Sequence, residues 1–157
     1  MQRKNHTTSQ DNKNYASQRK SSHVVIDRLM RAKRFTEAKE ILDELLDVDP
    51  NDIASLVTRS GVFSILGLYD PALHDCNRVE SLYQSKNCPT DLDWRNLNFI
   101  NMAGIKCQQG KYTEAIETCN NLIEQDDDCS SAVHFIRAKA HFAQGNYKML
   151  SWIINLY

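Results

Sequence analysis

The sequence predicts an all-α fold, a helical solenoid of two-helix units, and three observations carry that expectation. The aromatic residues Phe35, Tyr69, Tyr112 and Tyr147 recur at spacings of 34, 43 and 35 residues. Each sits in one short motif: Lys33-Arg34-Phe35-Thr36-Glu37-Ala38, Gly67-Leu68-Tyr69-Asp70-Pro71-Ala72, Gly110-Lys111-Tyr112-Thr113-Glu114-Ala115 and Gly145-Asn146-Tyr147-Lys148-Met149-Leu150. Each motif also lies between two amphipathic runs. Self-similarity near 34 residues with two helices per period is the mark of stacked helical repeats.

In the first unit Val25, Ile26 and Leu29 form an apolar stripe on one helix, and Ala38, Ile41, Leu42, Leu45 and Leu46 form one on the next. Between them, Thr36 is placed to cap the second helix and Glu37 to favour its positive end. Asp49-Pro50 closes the unit, because proline lacks an amide and its ring clashes with the preceding turn. In the second unit the pattern predicts a helix over 52–66 and Gly67 as a left-handed terminator, then Asp70 as cap with Pro71 in the first turn. The 43-residue interval carries a surplus near 84–95, around Cys88-Pro89-Thr90-Asp91. There Pro89, with Thr90 or Asp91 as cap, predicts an early, longer helix running to Gln109 and carrying Trp94 and Leu97. The surplus reads as a solvated loop with Trp94 folded onto its neighbour; a binding loop is the alternative. Ala38, Ala72 and Ala115 fall where paired helices approach most closely, and Leu150 breaks that rule in the fourth unit.

The chain of 157 residues balances 19 Lys and Arg against 20 Asp and Glu, so no global charge points to nucleic acid. Residues 1–20 are basic and polar, with Arg3, Lys4, Lys13, Arg19 and Lys20 against Asp11, a net +4 that leaves −5 for the rest. With almost no large apolar groups, this head is expected to be disordered. It lacks the apolar core of a secretory signal, and no run approaches the roughly 18 apolar residues of a membrane span. The expected location is the cytosol, with the nucleus as alternative. Five cysteines with no CxxC pair suit neither a disulfide framework nor a zinc ribbon, and Cys76 and Cys119 read as small apolar residues on inner helix faces. His134 and His141 share a helix face but lack a third ligand at metal spacing. No cofactor is expected, and neither a phosphate loop nor paired carboxylates point to an enzyme.

The motif alanines and the residues four later, Ala38 with Leu42, Ala72 with Cys76 and Ala115 with Cys119, accompany small first-helix residues Ser60, Ala103 and Ala138 and a closing Pro50. In these features residues 20–157 resemble the tetratricopeptide repeat family, with units at about 21–52, 53–84, 96–129 and 131–157. The resemblance implies a right-handed superhelical solenoid whose first helices line a concave groove for a protein or peptide partner. Its candidate groove residues here are Val57, Thr58, Gly61, Leu97, Ile100, Asn101, Gly104, Phe135, Lys139 and Phe142, with His23, Asp27, Ala132 and Ile136 in the same register. The lysine, asparagine and arginine set with which some family members clamp chaperone tails is missing, since His23, Asp27 and Leu97 stand in its places. Gly61 and Gly104 suggest a close approach to the helix backbone, by a ligand or by the partner helix.

The final stretch, Met149 to Tyr157, carries Trp152, Ile153, Leu156 and Tyr157, more apolar residues than one buried face uses. Terminal repeats normally present a polar outer face. The expectation is therefore self-association through this end, or a longer array.

Overall fold

The computed structural model describes residues 7–85, 92–125 and 130–145. All regular structure among them is helical, in seven helices. They are α1 (Thr7–Arg31), α2 (Phe35–Val48), α3 (Ile53–Ile65), α4 (Tyr69–Tyr83), α5 (Leu92–Gln108), α6 (Tyr112–Gln125) and α7 (Ser131–Ala143). The chain divides into two compact units, Met1–Pro50 and Asn51–Tyr157.

In the first unit α1 and α2 form an antiparallel pair joined by Ala32, Lys33 and Arg34. Ile26, Leu29, Ala38, Leu42, Leu45 and Leu46 are buried, as the apolar spacing requires. Val25 is not part of that stripe: it is exposed, because one step of 100° carries it past the face that Ile26 and Leu29 share. The head also departs from expectation. Residues 7–20 are the first turns of α1, and the Tyr15 hydroxyl donates to the Leu45 carbonyl at 3.4 Å. Composition alone weighs only what the head can bury; a helix already nucleated at Ile26 and Leu29 extends at little cost per residue. Residues 1–6 lie outside the described residues.

In the second unit α3 pairs with α4 and α5 with α6, while α5 also packs against α3 and α4, and α7 against α5 and α6. The first helices α3, α5 and α7 thus form a row. Ala72 and Ala115 are fully buried, as is Ala38 in the first unit. Phe63, Ala72, Cys76 and Ile105 form one core cluster, and Ala103, Cys119, Leu122 and Val133 form another. Longer than α3 and α7 at 17 residues, α5 includes half-buried Trp94. Cys88, Pro89, Thr90 and Asp91, on which its start signal was read, lie outside the described residues.

One turn geometry recurs. Lys33, Gly67, Gly110 and Gly145 all have positive φ, between 59° and 77°. In three of these turns the left-handed residue's N–H reaches back three residues and the next N–H reaches back five: Lys33 to Met30 with Arg34 to Leu29, Gly67 to Ser64 with Leu68 to Phe63, and Gly110 to Cys107 with Lys111 to Lys106. Those bonds satisfy carbonyls left open at the end of each first helix. The following helix then begins at the aromatic residue. Ala38, Ala72 and Ala115 each donate to the carbonyl of the residue just before it, which makes Arg34, Leu68 and Lys111 the caps. Thr36 and Asp70 therefore lie inside the first turn, and no side chain caps α2 or α4. The left-handed turn leaves only one residue before helical geometry resumes, too few for either to flank the helix.

Candidate functional site

The row of first helices is the surface to which the sequence assigned binding. Val57 cannot serve it as a side chain: it is fully buried, and its carbonyl accepts a hydrogen bond from Asn101 Nδ2 at 3.0 Å. Asn101 also donates to the Ser60 hydroxyl at 2.9 Å, so it ties α5 to α3. The Thr58 hydroxyl bonds back to the Ala54 carbonyl at 2.7 Å. A Cβ at Gly61 would lie 3.6 Å from Asn101 Nδ2, and one at Gly104 would lie 3.8 Å from the Ile136 methyl. A Cβ at either glycine would thus meet the first helix of the next unit, and not the paired second helix, at ordinary contact distance.

Phe135 and Phe142 have repeat equivalents on the earlier first helices. At the repeat spacing Phe135 corresponds to Ile100 and Val57, and Phe142 to Cys107 and Ser64. Ile100 packs with Val133 and Ile136, and Cys107 with Ala140 and Ile136, all from α7. Ser64 donates to Gln108 of α5 at 3.3 Å. On α3 and α5 these positions have neighbours on the next first helix, and on α7 their side chains are 69% and 57% exposed. Of the other candidates, Leu97 and Lys139 have exposed side chains, and Ala132 is half-buried. His23 is half-buried and Asp27 exposed, both on α1 in the first unit. Trp152, Ile153, Leu156 and Tyr157 lie outside the described residues.

Polar side chains that the sequence reading passed over hold the second unit together. Arg59 donates twice to the Asp75 carboxylate, at 2.8 and 2.9 Å, with Asp75 almost wholly buried and the guanidinium 5.5 Å from the Phe63 ring centre. Asn98, fully buried, donates to the Cys76 carbonyl and to Glu80, each at 3.1 Å. Arg95 lies over the Tyr83 and Phe99 rings and 3.6 Å from Glu80. Their signal in sequence was an amide or a cation inside an otherwise apolar helix stripe.

Cys76, Cys107 and Cys119 are buried and form no disulfide. Burial pushes the Cys76 thiol up to about 11 despite its hydrogen bond with Ser60, so this sulfur is a packed thiol and not a nucleophile. Burial, with Arg137 nearby, lowers the His141 pKa. Among the described residues no three His, Cys, Asp or Glu side chains gather as a metal site, and no helix is long and apolar enough to cross a membrane.

Comparison with protein-family models and with curated proteins found no match for this chain.

Proposed function

We propose that this chain is a tetratricopeptide-type adaptor, a right-handed solenoid that binds a segment of another protein in the cytosol and performs no catalysis itself. The packing of α5 against both α3 and α7, while each first helix before α7 pairs with its own second helix, carries this reading. Side-by-side first helices leave one continuous face, and stacked repeats work through such faces. The recurrent left-handed turn supports a true repeat over a chance bundle, because the same backbone solution closes successive units. Leu97 and Lys139 are the side chains that this face offers to a ligand. An extended or helical peptide with an apolar anchor and an acidic residue fits them.

A displayed library of random 16-residue peptides tests this. Peptides selected on the wild-type protein are expected to lose roughly tenfold or more in affinity for Leu97→Glu, and to weaken for Lys139→Glu, with helicity unchanged. Selected peptides indifferent to both changes, or no selected peptides at all, would overturn the groove.

A further inference from the structure

We propose that Ser22 is a phosphorylation site and that the phosphate parts α1 from α2. The site concerns the first unit alone and does not rest on the groove. Two hydroxyls in the sequence follow a basic pair at the third and second residues before them: Ser22 behind Arg19 and Lys20, and Thr36 behind Lys33 and Arg34. Two cations at that offset fit a kinase whose peptide cleft is acidic. The structure separates the two sites. Arg34 is already held by Glu37, to which it donates from Nε and Nη2, and Thr36 lies in the first turn of α2, two residues before fully buried Ala38. Lys20 is exposed and Arg19 half-buried, in the part of α1 with the least packing.

A kinase takes its substrate as an extended strand, so α1 must open around Ser22. Among residues 14–20 only Tyr15 and Arg19 are half-buried, and the Tyr15 hydroxyl reaches the Leu45 carbonyl at 3.4 Å. Opening such a stretch costs little. The γ-phosphoryl group of a nucleoside triphosphate then passes to Ser22 Oγ: its bond to the bridging oxygen breaks, the nucleoside diphosphate leaves, and the hydroxyl proton goes to the kinase's base. Closing the helix again is the difficulty. Ser22 is half-buried, one turn before Ile26 and two before Leu29, on the side of α1 that α2 covers. It lies between Tyr15 and the turn to α2, so the apolar row Ala38, Leu42 and Leu45 runs across from it. A group of about two negative charges does not return to such a face without losing its water. Of the residues a turn away, Gln18, Val25 and Ile26 are uncharged and Arg19 is already engaged.

Incubation of the full chain with ATP and the catalytic subunit of a cyclic-AMP-dependent kinase, an enzyme that prefers basic substrates, is the test. Mass spectrometry of fragments should place one phosphate on Ser22. Hydrogen exchange of α1 and α2 amides should then quicken roughly tenfold or more, with α3 to α7 unchanged. Ser22→Ala should take no phosphate on α1 and keep the exchange of the untreated protein, whereas Ser21→Ala should behave as wild type. Lys20→Ala, at an exposed position, should slow the transfer roughly tenfold without altering exchange. Phosphate on Ser21 or Thr36 in place of Ser22, or none on the chain, overturns the site. A peptide of residues 16–26 that takes phosphate while the folded chain does not would show that α1 stays closed, and overturns it equally. Phosphate on Ser22 with unchanged exchange in α1 and α2 overturns the parting of the helices.

Discussion

Replacing Gly61 and Gly104 by alanine should stabilise the protein, although both positions read in sequence as places of close approach to the helix backbone. Each glycine lies inside a helix, where it costs about 0.5–1 kcal/mol relative to alanine through its extra unfolded-state freedom. The sign turns on whether a Cβ has room. At Gly61 the nearest atom is Asn101 Nδ2 at 3.6 Å, and at Gly104 it is the Ile136 methyl at 3.8 Å, both ordinary contacts. Neither substitution forces Asn101 off the Val57 carbonyl, so the hydrogen bonds between α5 and α3 survive. The two glycines meet different partners, so their effects should nearly add, giving about 1–2 kcal/mol for the double variant. Urea unfolding followed by far-ultraviolet circular dichroism measures this as a higher midpoint at constant slope. A destabilised Gly61→Ala protein would mean that the helices sit closer than described and that glycine is required for packing. Stabilisation with lost peptide affinity would return Gly61 to the groove.

Lys33→Gly should stabilise the first unit by about 0.5–1 kcal/mol, since Lys33 holds the left-handed position that glycine fills in the other turns; slower hydrogen exchange of α1 and α2 amides would register it, and faster exchange would contradict the turn geometry. Arg59→Ala leaves the Asp75 carboxylate buried without its cation and should cost about 3–5 kcal/mol, whereas Arg59→Met with Asp75→Leu should recover most of that loss in thermal unfolding. Because burial raises the Cys76 pKa to about 11, the folded state keeps its proton at pH values where the unfolded thiol has lost it. Its contribution is therefore complete below the ordinary thiol pKa and fades as pH rises toward 11, so Cys76→Ala should flatten stability against pH above about 9.

Periodicity made the alternation of helices, the glycine terminators, the buried alanines and the longer α5 readable, because each depends on a residue type at a fixed offset. What it left unread depends on neighbours. The stripe containing Val57, Ile100 and Phe135 announces an apolar face, but only packing shows that Val57 is buried and Ile100 lies against α7 while Phe135 is exposed. Asn98 and Asn101 look like surface amides until the carbonyls of Cys76 and Val57 are found beside them. Lys33 carries a side chain where the geometry favours none, so its left-handed backbone had no glycine to signal it. The head was judged by what it could bury, yet α1 extends into it, and among residues 14–20 only Tyr15 and Arg19 are half-buried.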